Sequence, residues 1–151
     1  MRRSRKWSEV YKIIPDLRPY DGIPELLAEL NKANIPIAIV TSSPSSYCQR
    51  VINHWGWEIN STVCYHDTKL HKPHPEPLLL AVKKINVPKS QVVAIGDEKN
   101  DIISAQRAKI YSVAVLWGAR NKEELLAIKP NRIAESVDDL RNFLFEYYKL
   151  D

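Results

Sequence analysis

Amphipathic stretches and short apolar runs alternate along most of this chain. From Ile23, apolar residues recur at Leu26, Leu27, Leu30 and Ala33, one face of a helix, with Asp21 expected as its cap and Pro24 in its first turn. The run from Ile37 to Thr41 reads as a buried strand. Ser43 and Pro44 open a second helix with Tyr47, Cys48, Val51, Ile52 and Trp55 inward, and Thr62 to Tyr65 is a weaker strand. Pro75 and Pro77 start a helix through Leu78, Leu79, Val82 and Ile85 that stops at Asn86–Pro88. Val92 to Ile95 is again a buried strand, followed by a helix carrying Ile102, Ile103, Ala105 and Ala108. A strand from Tyr111 to Trp117, a helix over 122–128, a short strand at Arg132–Ala134 and a last helix through Leu140, Phe143, Leu144 and Tyr147 complete the pattern, with Asp138 and Asp139 expected to cap that helix.

Strands and helices alternating at this spacing are βαβ units, which build a parallel sheet covered on both faces. The expected fold is α/β, a Rossmann-like three-layer αβα sandwich. Residues 17–151 are expected to form its core, and residues 1–16 a basic segment outside it.

The 151 residues, 44% of them hydrophobic, suffice for one core. Charges or prolines interrupt every apolar run before ~18 residues, so no membrane span is expected. The basic start leads into Trp7, Ser8 and Glu9 rather than an apolar stretch, which argues against a signal peptide. Two cysteines, Cys48 and Cys64, make no disulfide framework and suit the cytoplasm. The net charge of +4 is mild, and no interleaving of basic and aromatic residues suggests nucleic acid. Cys64, His66, His71 and His74 match no standard zinc spacing.

In an open parallel sheet, ligands bind beyond the carboxyl ends of the strands, and three such ends hold polar residues. Thr41, Ser42 and Ser43 offer a hydroxyl and two backbone N–H groups at a helix start, suited to an anion; taken alone, this is also ordinary capping chemistry. Lys72 sits between proline-stiffened segments, in His71–Pro75, where a fixed ammonium could neutralise phosphate or carboxylate. Gly96 and Asp97 follow the most apolar strand, and Asp101 falls one helical turn later. Two carboxylates there make a hard oxygen site suited to Mg²⁺.

Together these segments resemble the haloacid dehalogenase superfamily, in particular its phosphoglycolate-phosphatase-like branch. Motif II of that family resembles Ile37–Thr41, motif III the Lys72–Pro75 segment, and motif IV, G-D-x-x-x-D, Gly96–Asp101. Flanking text is similar from about Leu17 to Leu144, including Trp117–Gly118, a loop near the site in relatives. One departure is Ala108–Lys109, where the family has Ala-Gly. The resemblance implies a Mg²⁺-dependent phosphatase of small phosphorylated molecules. In it Thr41 and the Ser42 amide would bind the phosphoryl group, Lys72 would balance charge, Asp97 would hold the metal, and Asp101 would be a ligand or orient Lys72.

Motif I of that family, a D-x-D pair whose first Asp is the nucleophile, has no counterpart anywhere in the 151 residues. Three expectations follow: little turnover by this chain alone, a weakened Mg²⁺ site, and a gap where the family places the motif I strand, between the motif II and motif IV strands. Those two strands must then pair directly, leave backbone groups unpaired, or accept a strand from Val10–Ile14 or from a second chain supplying motif I; because each buried unpaired group costs ~1–3 kcal/mol, an empty slot is not expected. Residues 1–16, by resemblance, look like the end of a cap insertion. A truncated or split phosphatase and a non-catalytic binding protein both fit this pattern.

Overall fold

The computed structural model describes residues 20–151. The expected boundary at residue 16 and the segment Val10–Ile14 lie outside the described residues. Helix α1 (Ile23–Lys32) begins after Gly22, whose φ of 91° is left-handed. Glycine adopts this conformation without steric cost. No side chain caps α1, so the cap expected at Asp21 is not made.

Strand β1 (Ala38–Val40), helix α2 (Ser45–Trp55) and strand β2 (Ser61–Val63) follow. Strand β2 stops earlier than its apolar run because the Asp67 carboxylate accepts the Cys64 N–H at 2.7 Å, bending the chain into a 3₁₀ turn at Tyr65–Asp67. Helix α3 (Glu76–Ile85) ends at Asn86, with φ 55°, and Pro88 prevents any continuation. Then come β3 (Val93–Gly96), α4 (Lys99–Ala108), β4 (Tyr111–Val115), α5 (Lys122–Ala127), β5 (Arg132–Ala134) and α6 (Val137–Tyr147). Helix α6 is capped by Ser136, whose side chain accepts the Asp139 N–H at 3.0 Å, while Asp139 accepts the Glu135 N–H at 3.1 Å. The cap expected at Asp138–Asp139 is thus Ser136, with Asp139 as its partner inside the first turn.

All strand pairs are parallel, with helices on both faces, so the α/β class holds. Alternate residues of β4 face opposite layers. Val113 and Val115 pack with α1 and α6 through Leu26, Leu30, Leu140 and Leu144. Ala114 packs with Ile102 of α4 and Leu125 of α5. A third cluster, Cys48, Ile52 and Cys64 with Ile39, seats α2 on β1 and β2. No helix among the described residues is long and apolar enough to cross a membrane.

Among the described residues the sheet is in two pieces. Strand β1 pairs with β2, strand β3 with β4, and β1 and β3 do not pair with each other. Direct pairing of the motif II and motif IV strands is therefore excluded. Between them runs a groove of about 450 Å³, from Asn34 and Ile35 at the amino ends to Lys72 and Asp101 at the carboxyl ends. The expectation of two fully buried strands is corrected here. Every residue of β1 is only partly buried, and Ile95 of β3 is 44% exposed, because one edge of each strand borders the groove.

Candidate functional site

The carboxyl ends of β1 and β3 lie where the strand order reverses, the usual ligand position in such sheets. Lys72 spans this point. Its ammonium donates to Asp101 Oδ1 at 2.6 Å and to the Val40 carbonyl, the last of β1, at 3.3 Å. An ammonium has three donors, so one N–H remains for a ligand. Both side chains are mostly covered, 16% exposed for Lys72 and 20% for Asp101. Lys72 thereby draws the motif II, III and IV positions together, two of them through its own bonds.

The loop carrying Lys72 is pinned from several sides. The Lys72–Pro73 peptide is cis. Glu76 accepts the Lys69 and Leu70 N–H groups at 3.3 and 3.0 Å. His74 Nδ1 accepts the Glu76 N–H at 3.1 Å, so His74 organises the start of α3. The His74 carbonyl accepts the hydroxyl of Ser104, a fully buried residue of α4, at 2.8 Å. Sequence reasoning missed Ser104, because one small polar residue on a buried helix face carries no signal of its distant partner.

At Thr41 the geometry changes one expectation. Thr41 Oγ1 accepts the Ser43 N–H at 3.1 Å, so of the two amides expected to meet an anion only that of Ser42 lacks a protein acceptor among the described residues. Ser43 O also accepts the Tyr65 N–H at 3.0 Å, which fixes the loop against β2.

Asp97 follows β3 directly, and Asp101 is the third residue of α4. Asp101 Oδ2 accepts the Glu98 N–H at 3.2 Å, leaving its other oxygen to Lys72. Gly96 makes room for a side chain: a Cβ there would overlap that of Asp101. Likewise a Cβ at Gly118 would overlap Asp97 Oδ2, so the loop after β4 approaches the carboxylate as closely as only glycine allows. Trp117 packs edge-on against Tyr20 beside it, ring centroids 6.4 Å apart. Burial raises the Asp97 carboxyl above its ordinary range; the nearby Asp101 and Glu98 charges add to this, and Lys72 partly opposes it.

Magnesium takes one or two carboxylates and keeps several waters. Asp97 has no ion-pair partner among the described residues, while Asp101 already holds Lys72. The set fits Mg²⁺ only in part, as one free carboxylate and one shared. Among the described residues no three His, Cys, Asp or Glu side chains converge on a metal position. A second cleft, of about 800 Å³ and lined by Asn53, Asn60 and Lys84, opens at the amino ends, away from these groups.

A family model described as haloacid dehalogenase-like hydrolase matches residues 2–115, more than half of the chain. The chain belongs to this family. It is 38% identical over 109 residues to the N-acetylmuramic acid 6-phosphate phosphatase of Pseudomonas aeruginosa, covering 71% of this chain and 48% of that protein. It is 38% identical over 103 residues to a phosphoglycolate phosphatase of Xanthomonas campestris pv. campestris, covering 67% and 47%. A solved hydrolase structure from Pseudomonas syringae superposes with TM-score 0.79 at 31% identity, over 89% of this chain and 63% of that one. The chain spans about half the length of the curated relatives it matches.

Proposed function

We propose that the site is the phosphate-handling part of a Mg²⁺-dependent phosphomonoester hydrolase of the phosphoglycolate-phosphatase-like branch, working in the cytoplasm. Its turnover needs a D-x-D segment from outside these 151 residues. The single observation that carries this reading is the Lys72 ammonium, bonded to Asp101 and to Val40 O with one donor left over. A nearly buried ammonium aimed at the mouth of a parallel sheet stabilises the charged oxygens of a phosphoryl group, the main lever in phosphoryl transfer.

In this reading the Thr41 hydroxyl and the Ser42 N–H orient the phosphoryl group. Lys72 neutralises one of its oxygens, and Asp101 holds Lys72 in place. Asp97 would hold Mg²⁺, with Asp101 as a second oxygen source, and the metal when bound supplies further charge neutralisation. The substrate stays at the level of a small phosphorylated molecule, because two relatives of equal 38% identity are named for different substrates.

Two measurements test it. With Mg²⁺ and p-nitrophenyl phosphate, this chain alone is expected to show no turnover above background. Turnover abolished by Asp97→Asn would overturn the requirement for an outside segment. Inorganic phosphate, followed by calorimetry, should bind, and Lys72→Ala should weaken it roughly 10- to 100-fold, the worth of a charge-assisted hydrogen bond. Equal binding by parent and variant would remove Lys72 from the site.

A second reading is favoured by one fact, the absence of D-x-D from all 151 residues. In it the chain binds phosphorylated ligands or another protein and catalyses nothing. Phosphate binding without turnover, even when a D-x-D segment is supplied, would favour this reading over the first.

A further inference from the structure

Beyond the carboxyl end of β2 stands a cluster of rings that the proposed phosphate chemistry does not use. Tyr65 and His71 stack face to face, with centroids 4.2 Å and planes 12° apart. His66 meets Tyr65 edge-on at 5.0 Å. Tyr65 is 38% exposed and belongs to none of the three apolar clusters, and Leu70, next to His71 in the chain, is exposed as well. A stack made outside the core, at the end of the sheet where ligands bind, leaves aromatic surface within reach of one.

Two links hold the stack beside the phosphate-handling groups. The Tyr65 N–H donates to Ser43 O at 3.0 Å, one residue from the Ser42 N–H. His71 directly precedes Lys72, whose ammonium is bonded to Asp101. The segment between the two rings is built before any ligand arrives. Asp67 accepts the Cys64 N–H, the hydroxyl of buried Thr68 donates to Leu70 O at 2.7 Å, and Glu76 accepts the Lys69 and Leu70 N–H groups. A platform held in this way loses little freedom when a ligand lies on it.

We propose that Tyr65, stacked on His71, is a specificity-determining platform that selects phosphate monoesters whose leaving group carries a flat-faced ring, aromatic or pyranose. The ring of the ester lies against the stack while its phosphoryl group meets Ser42 and Lys72. The other exposed ring pair near the site, Tyr20 and Trp117, stands beside Asp97 instead, the carboxylate assigned to Mg²⁺. This inference rests on the proposed phosphate site and names the class of substrate that site takes.

Methyl phosphate, phenyl phosphate and glucose 6-phosphate, titrated into the whole chain without Mg²⁺ and followed by amide NMR shifts, test it. At least one ring ester is expected to bind roughly 5- to 50-fold more tightly than methyl phosphate, and the one that does identifies the ring. Tyr65→Ala should remove this gain and leave methyl phosphate binding unchanged, while Tyr65→Phe keeps it. No gain for either ring ester, with methyl phosphate still bound, overturns the platform and leaves the phosphate site standing. A gain that survives Tyr65→Ala overturns it too, because another ring would be responsible. So does an equal loss for all three esters in Tyr65→Ala, which would mean that Tyr65 only shapes the loop. Failure of all three to bind the parent chain would sink the phosphate site, and the platform with it.

Discussion

Asp97 is subject to opposing demands. Its carboxyl is raised chiefly by burial and then by Asp101 and Glu98. Below the ordinary value of 3.8 it is protonated in both folded and unfolded chains, and the shift has no effect on stability. As pH rises through the raised folded value, ionisation costs the folded chain more than the unfolded one, and stability falls. Asp97→Asn removes that ionisation. It should raise the metal-free unfolding midpoint at neutral pH, with a gain that vanishes below pH 3.8, measurable by thermal unfolding across that range. Equal midpoints at neutral pH would contradict the buried-charge account. The candidate residues themselves were legible in the sequence, because Thr41, Lys72, Asp97 and Asp101 sit at strand ends or a fixed offset from them. The close fit of Gly118 to Asp97 and the reach of Ser104 to His74 were not, since each depends on how loops far apart in the chain pack together.

Helix and strand positions were legible to within a few residues because the apolar spacing is regular. Helix ends were less so, because a cap depends on local geometry that several neighbours can supply. Lys109 shows this. By resemblance the family has glycine at this place, yet Lys109 takes a left-handed ending, φ 58° and ψ 42°, and closes α4 by donating its N–H to the carbonyls of Ala105 and Gln106. A side chain there is strained by about 1–2 kcal/mol, offset in part by the chain entropy glycine would lose. Lys109→Gly should therefore stabilise the protein by about 0.5–1 kcal/mol, a midpoint rise of roughly 1–4 °C. A loss of stability would mean that Lys109 makes a compensating contact. The opposite case is Asn131, before β5. Its Oδ1 accepts both the N–H and the hydroxyl of fully buried Ser112 on β4, at 2.8 and 3.0 Å. Asn131→Ala leaves both donors unpaired inside the sheet and should cost about 2–4 kcal/mol in urea unfolding. A cost under about 0.5 kcal/mol would show that water replaces the amide.

For the whole molecule, the absence of D-x-D and the division of the sheet are one property seen twice. The sequence lacks the motif that ends a central strand in the family it resembles, and among the described residues β1 and β3 have no partner across the groove in that place. The place of the gap was legible from motif order, but the sequence argued against an unfilled slot, and no described strand fills it. What the sequence did not show is that the flanking strands stay apart, with Lys72 bridging the groove at its carboxyl end instead of a collapsed pairing. Each backbone group left unpaired away from water costs ~1–3 kcal/mol, so the gap should weaken the fold as well as the chemistry. The two effects can be read from one chimera, in which an uncharged strand ending in D-x-D is joined through a flexible linker ahead of Met1. If the strand docks, pairing both edges should raise the unfolding midpoint by about 2–4 °C for each kcal/mol recovered. If its carboxylates also reach Lys72 and Asp97, the chimera should hydrolyse p-nitrophenyl phosphate with Mg²⁺. Replacing the first Asp of the pair with Asn should then lower the rate by up to roughly 10⁶-fold, the cost of deleting a nucleophile, while the raised midpoint remains. A raised midpoint without turnover would keep the strand in the groove and refute the phosphatase reading. An unchanged midpoint would remove the strand from the groove.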